Sequence, residues 1–163
     1  MISIRKANHE DIADLKKLVD KLVPNNFNGF LNTSQIDYMI EKLYTQKALL
    51  DALDSGTDYF VATCDGVDCG VVSVLKHGPN LFLMHKIYVD EGYYGKGVGT
   101  ALLHRIKEYV SSKVLPCTIE LVINSHNPSR EFYLKNGFVK VRDTELDLEE
   151  FIISEEVFSL ELN

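Results

Sequence analysis

Nowhere in this chain do apolar residues run uninterrupted for the roughly 18 positions that a membrane-spanning helix needs. The first stretch reads as a strand followed by a charged helix, so no signal peptide is expected, and the protein is placed in the cytoplasm. Basic residues are in the minority: 17 Lys and Arg stand against 24 Asp and Glu, a formal charge of −7. Binding a phosphate backbone takes basic patches, so nucleic acid is not expected as the principal partner. Cysteine is scarce. Cys64, Cys69 and Cys117 form no C-x-x-C pair and have no histidines at ligand spacing, so no metal is expected. Cys64 and Cys69 flank a turn, Asp65 to Asp68, and in a reducing compartment they read as buried thiols. Cys117 has no base beside it, which argues against a catalytic cysteine. Repeats, low-complexity tracts and linkers are lacking too, and 163 residues suit a single domain over 1–163 with a proper core. The usage is ordinary for a globular chain, 45% hydrophobic and 25% charged.

Periodicity supplies the elements. Ile2 to Lys6 reads as a strand, and His9 to Val23 as a helix with Ile12, Leu15, Leu18, Val19 and Leu22 on one face. Pro24 to Asn32 is polar and turn-rich, with Phe27 and Phe30 as its apolar points. Thr33 or Ser34 can cap a second helix carrying Ile36, Met39, Ile40 and Leu43. A third helix is expected over Gln46 to Leu53. Tyr59 to Cys64 and Cys69 to Lys76 read as a hairpin, and Leu81 to Val89 as the next strand. A helix from Val98 to Val110 follows, then strands at Thr118 to Ile123, Phe138 to Arg142 and Glu156 to Leu162. That makes seven strands.

The most informative stretch is Tyr94-Gly95-Lys96-Gly97-Val98-Gly99-Thr100. Three alternate glycines leave a strand and open into an amphipathic helix. Glycine permits tight turns and close ligand approach. A helix start leaves N–H donors unpaired and adds partial positive charge, which together suit a phosphate or pyrophosphate. Spacing excludes the familiar alternatives. A dinucleotide turn needs a glycine where Leu102 stands, a triphosphate P-loop needs Ser or Thr where Gly97 follows Lys96, and the kinase-type loop fails likewise. A ligand-free glycine turn remains open on this stretch alone.

A second segment, Ser129-Arg130-Glu131-Phe132-Tyr133-Leu134-Lys135-Asn136-Gly137-Phe138, follows a strand and a turn and leads into another strand. With it, the chain resembles the GNAT superfamily of acetyl-CoA-dependent N-acetyltransferases. That family's Gln/Arg-x-x-Gly-x-Gly/Ala motif is matched from Tyr94 to Gly99 except at its first position. Its small-residue, Phe-Tyr-x-x-x-Gly-Phe signature is matched by Ser129, Phe132, Tyr133, Gly137 and Phe138. The likeness spans nearly the whole chain. Ile2 to Ala7 with Asp11-Ile12 resembles the first strand and helix, and Met84 to Val89 the fourth strand. Asp147 to Leu162 is similar to the tail of a polyamine N-acetyltransferase-like branch.

The resemblance implies a mixed α/β (α+β) fold. Its sheet would be seven-stranded and mostly antiparallel, with a central splayed parallel pair and about four to five flanking helices. The parallel return is expected to be a right-handed crossover. It implies acetyl-CoA as cosubstrate, without a metal, and a small-molecule amine as acceptor, polyamine-like or amino-acid-like. The net acidity is compatible with a cationic acceptor and equally with plain solubility. Pantetheine is expected along the backbone of Ile87, Tyr88 and Val89, as an added strand. The pyrophosphate is expected on the N–H groups from Tyr94 through Gly95, Lys96, Gly97, Val98 and Gly99 to Thr100. Tyr133 stands where the family places the acid that protonates the leaving thiolate, and a phenol is still protonated at neutral pH. The base is open between His85, Glu120 and a water relay. His126 falls where relatives carry a cofactor-contacting asparagine, with Asn127 one place later, so Asn127 takes that role or it is lost. Tyr94 replaces the usual Gln or Arg, which removes a side-chain contribution and predicts weaker cofactor binding. Pairing into a homodimer is implied by analogy alone. Protein N-terminal or lysine acetylation, and a CoA-binding sensor without turnover, stand as alternatives.

Overall fold

The computed structural model describes residues 1–163 apart from Asn28, Phe30 and Lys86, with Asn26 described by its backbone only. The expectation for Phe30 therefore lies outside the described residues. In chain order the elements are β1 (Ile2–Lys6), α1 (Ile12–Leu22), α2 (Thr33–Leu43), α3 (Gln46–Asp54), β2 (Asp58–Cys64), β3 (Val67–Lys76), β4 (Leu81–Met84) and β5 (Tyr88–Val89). They continue with α4 (Val98–Lys113), β6 (Cys117–Asn124), α5 (Arg130–Lys135), β7 (Val139–Asp147) and β8 (Ile152–Leu162). Short 3-10 turns precede α1, follow it, and lead into the glycine loop.

Local chemistry accounts for most boundaries. The cap of α2 is Asn32, one residue ahead of the expected Thr33 or Ser34. Its side chain accepts the Gln35 N–H while Gln35 returns a bond to the Asn32 N–H, a reciprocal capping box. The β2–β3 hairpin closes on two residues, Asp65 and Gly66, both with positive φ, so β3 starts earlier than Cys69. Such a turn matches the twist of the paired strands, and Asp-Gly is a favoured pair for it. The three cysteines are buried and unbridged, as expected.

The sheet runs β1-β2-β3-β4-β6-β8-β7, with β5 beside β3. All pairings are antiparallel except β4 with β6, which are parallel and joined across α4. The mixed sheet with one central parallel pair and five α-helices is the expected fold. It has eight strands rather than seven among the described residues, because the expected Leu81–Val89 strand is broken. Met84 pairs Val74, yet Tyr88 pairs Val71, so four steps along one strand face three along β3. That extra residue is a bulge, which bends the strand and interrupts its ladder.

The break decides where the sheet opens. Strands β4 and β6 pair from Leu81–Thr118 to Met84–Leu121. Beyond that point β5 pairs β3, while β6 continues against β8 as far as Asn124–Glu155. Among the described residues no ladder joins β5 to β6, and the two part like a V.

Each face of the sheet is buried against its own helices. On one side α4 and α5 pack with Phe60, Phe82, Ile119, Leu121 and Phe158. On the other, α1, α2 and α3 pack with Val61, Val71, Tyr88 and Ile153. Ile87, just ahead of β5, thus packs in the first core and Tyr88 in the second.

Candidate active site

The glycine loop is shaped by backbone geometry. Gly95 and Gly97 have φ of +73° and +84°, a region L side chains rarely adopt. A Cβ added at either would meet nothing within 4 Å, so these two glycines face open space rather than a packed neighbour. Gly97 precedes α4, and the first helical N–H to bond backward is that of Ala101, to the Gly97 carbonyl at 3.0 Å. The N–H groups ahead of it have no partner inside the helix, and the dipole makes that end partially positive.

A cavity of about 270 Å³ opens over this turn. Ile87 and Val89 line one side, the loop from Tyr93 to Thr100 another, and Ser129, Phe132 and Tyr133 of the α5 region close it. The Asp90 N–H bonds the Cys69 carbonyl of β3 at 2.8 Å. Neighbouring residues in an antiparallel strand turn their amides to opposite edges, so that of Val89 faces the opening.

Tyr133 is buried and sits between Phe132 and Phe138, both in edge-on contact. Its hydroxyl oxygen accepts the Ile87 N–H at 2.9 Å. Burial raises its pKa, only partly countered by that bond, so the phenol is held protonated. Helix α5 is fixed from outside: Arg130 Nε meets Glu156 at 2.9 Å, and Lys140 reaches the other Glu156 oxygen at 2.8 Å. Those two bonds, Arg130 first, hold the Glu156 carboxyl below the usual carboxylate range.

The opposite face carries a second, larger cavity of about 450 Å³. Its roof is Val19, Phe27, Met39, Leu43 and α3, and its floor is β3, β4 and β6. His85 lines it, with Nδ1 2.6 Å from Ser73 Oγ and its N–H on the Ser73 carbonyl at 2.9 Å. Glu120 lines it too, bonded by Arg142 at 3.1 Å.

Of the expected site residues, Ile87, Val89, Tyr94, Gly95, Gly97, Val98, Gly99, Thr100 and Tyr133 are brought together around the smaller cavity. Four others lie elsewhere. Tyr88 faces the larger cavity, where its hydroxyl is 3.1 Å from that of Tyr44. His85 faces the same side. Lys96 is exposed, its Nζ 5.4 Å from the Tyr93 ring centre. Asn127 is buried, and its side chain accepts the Ser129 N–H at 2.7 Å, so it shapes the turn before α5. Tyr93, Ser129 and Phe132 line the smaller cavity without having been singled out. The last two belong to the Phe-Tyr segment, and Tyr93 adjoins the glycine run. Among the described residues no cluster of three or more His, Cys, Asp or Glu is placed to hold a metal ion, and no helix is long and apolar enough to cross a membrane.

The same fold is found in solved structures. The PaiA N-acetyltransferase of Thermoplasma acidophilum, determined with coenzyme A, superposes with a TM-score of 0.84 at 21% identity, covering 99% of each chain. A GNAT-family acetyltransferase from Staphylococcus aureus gives 0.75 at 18% identity over 100% of both chains. The ribosomal-protein-S18-alanine N-acetyltransferase of Escherichia coli gives 0.75 at 14%, over 100% of this chain and 95% of that one. At these identities the likeness is one of fold. No curated protein matches the sequence. The family model described as an acetyltransferase (GNAT) domain matches residues 55–140, a span running from the end of α3 through the glycine loop and the Phe-Tyr segment into β7. On that match, the chain belongs to the GNAT family of N-acetyltransferases.

Proposed function

We propose that the protein, acting as one domain over residues 1–163, transfers an acetyl group from acetyl-CoA to a primary amine of a small molecule. The observation that carries this reading is the pair of cavities on opposite faces of the sheet. Ile87 and Val89 line the smaller one and Met84, His85 and Tyr88 the larger, so residues around the strand break contribute to both, close to where Tyr133 reaches Ile87.

The smaller cavity fits the cosubstrate. Two bare positive-φ glycines and the start of α4 suit a pyrophosphate, and the outward edge of Val89 suits an amide-bearing arm. When bound, acetyl-CoA supplies a thioester carbonyl to the amine: an N–C bond forms, the C–S bond breaks, one proton ends on sulfur and another leaves to solvent. Tyr133 is the proposed source of the proton for sulfur. Its oxygen already accepts from Ile87, so its own hydrogen points to another acceptor, and burial keeps it in place at neutral pH. The Ile87 N–H is thereby engaged, which leaves the outward edge of Val89 as the strand contact for the cosubstrate. His85 is the proposed base. Its imidazole is oriented toward the larger cavity by the contact of Nδ1 with Ser73 Oγ at 2.6 Å.

A roofed cavity of about 450 Å³ suits a small molecule better than a protein tail. The resemblance of the tail from Asp147 to Leu162 makes a polyamine-like acceptor the first class to test, with amino-acid-like amines second. Calorimetric titration with acetyl-CoA, followed by thiol release on an amine panel, tests the reading. Binding with release on a small amine supports it. Absence of acetyl-CoA binding overturns it.

A further inference from the structure

We infer that Tyr59 is a specificity-determining residue for the acceptor: its hydroxyl meets a neutral oxygen on the body of the amine, which makes an amino alcohol the fitting class. This rests on the acetyltransferase reading and narrows it by a polar group that the larger cavity leaves unmet.

The cavity is walled chiefly by carbon, with Phe27, Met39, Val71 and Val122 among its sides. Its other polar side chains are engaged within the protein. The Tyr44 and Tyr88 hydroxyls are 3.1 Å apart, Ser73 Oγ and His85 Nδ1 are 2.6 Å apart, and Glu120 accepts from Arg142 at 3.1 Å. Glu155 is engaged as well. Tyr59 is the exception: among the described residues none donates to its hydroxyl or accepts from it. The ring is half-buried against the core under α1, α2 and α3. Burial pushes the phenol up to about 12, so at neutral pH it keeps a hydrogen to donate and an oxygen to accept.

Position gives that hydroxyl its use. Tyr59 pairs with Ser73 across β2 and β3, and the Ser73 carbonyl accepts the His85 N–H at 2.9 Å. Tyr59, Ser73 and His85 therefore form a row across the cavity floor, with roughly 10 Å between the outer backbones at two strand spacings. An acceptor whose amine lies at the His85 end, beside the strand break, carries its far end toward Tyr59. Charge then decides which group suits that end. Among the described residues no Lys or Arg lines the cavity, so a carboxylate would be buried there without a counter-ion, at high cost. A hydroxyl brings no charge and satisfies the phenol. An alkyl group in its place would displace water and leave the phenol unmet, which is the larger penalty in such an exchange.

The test is steady-state thiol release by the full chain with acetyl-CoA and two matched pairs of amines, 5-amino-1-pentanol beside hexylamine and tyramine beside 2-phenylethylamine. Spermidine is the polycationic comparison. The hydroxylated member of at least one pair should show a kcat/KM about tenfold above that of its partner. Tyr59→Phe removes only the oxygen and should bring that ratio near one, chiefly through KM, while acetyl-CoA affinity by calorimetry is unchanged. The ratio is read within one protein, so a general loss of stability in the variant cancels from it. If the variant does not fold, the native ratios still decide. Ratios near one in both pairs, a ratio that survives Tyr59→Phe, a preference for spermidine, or acetyl-CoA binding with no amine accepted would each overturn the inference and leave the cosubstrate site standing. Absence of acetyl-CoA binding by the native protein would instead remove the reading beneath it.

Discussion

The hydroxyl of Tyr133 accepts the backbone N–H of Ile87 at 2.9 Å, tying α5 to the strand break that opens the sheet. This bond spends the oxygen as acceptor and turns the phenolic hydrogen elsewhere, the arrangement a proton donor to a leaving group needs. It also satisfies a buried N–H that the bulge takes out of the ladder.

Tyr133→Phe should therefore act in two ways. Turnover is expected to fall about 100-fold with acetyl-CoA affinity little changed, the size typical of lost general-acid help. Melting should shift down by a few degrees as the Ile87 N–H loses its partner. Stopped assays measuring kcat beside calorimetric Kd separate these effects; unaltered kcat would mean sulfur takes its proton elsewhere. Because burial raises the Tyr133 pKa, its protonated form persists past the ordinary tyrosine value of about 10. Its deprotonation should thus not limit kcat anywhere below that pH, and a tyrosine-dependent loss of rate at pH 8–9, absent from Tyr133→Phe, would contradict the assignment.

Gly97→Asp places a carboxylate in the open space ahead of α4, where a Cβ meets nothing within 4 Å. Acetyl-CoA affinity should fall by more than about 100-fold, as two negative groups would share one partially positive helix end. Gly97→Asn carries the same strain at φ +84° without the charge and should lose distinctly less. Equal losses in the two variants would point to backbone strain rather than to a phosphate cradle.

Glu156 bridges Arg130 of α5 and Lys140 of β7, and is itself nearly buried. Glu156→Gln should lower the melting midpoint by roughly 5 °C at neutral pH, since hydrogen bonds to charged partners are lost. The carboxyl pKa is depressed in the folded state, so its contribution is full above the unfolded value of about 4.3 and fades as pH falls through the lower folded value. Melting curves of the two proteins should accordingly converge on acidification below about pH 4. A constant gap would assign the effect to packing.

Gly70 lies where β3 passes under α4, and a Cβ there would come 2.9 Å from Val98 Cγ1 and 3.0 Å from Leu102 Cδ1. Gly70→Ala should push the helix away at a cost of about 1–3 kcal/mol and weaken acetyl-CoA binding by moving the helix start. Calorimetry and thermal melting on one preparation would show both; an unchanged melt would mean α4 yields without strain.

Much was legible in the residues themselves. Alternation and helical spacing placed Ile2–Lys6, α1, α3 and α4 within a few residues, because amphipathic periods are set locally by which face meets the core. The glycine turn and the Phe-Tyr segment were readable for the same reason. A positive φ at Gly95 and Gly97, and an edge-on aromatic row at Phe132, Tyr133 and Phe138, are short-range demands written at fixed spacing. Other features depend on partners far along the chain. The break between Met84 and Tyr88 exists only against the register of β3, so Leu81–Val89 read as one strand. That the Asn127 side chain shapes the turn before α5, by accepting the Ser129 N–H, was not legible either. Gly70 carries no motif, and its smallness matters only because α4 crosses it. The larger cavity, with Phe27, Met39, Ala52, Val71 and Glu155 drawn from across the chain, has no local signature at all. Sequence alone determined the glycine turn and the Phe-Tyr segment, because neighbours in the chain make both. Tertiary packing decided the larger cavity, because walls from distant segments acquire a common shape only when the sheet brings them together.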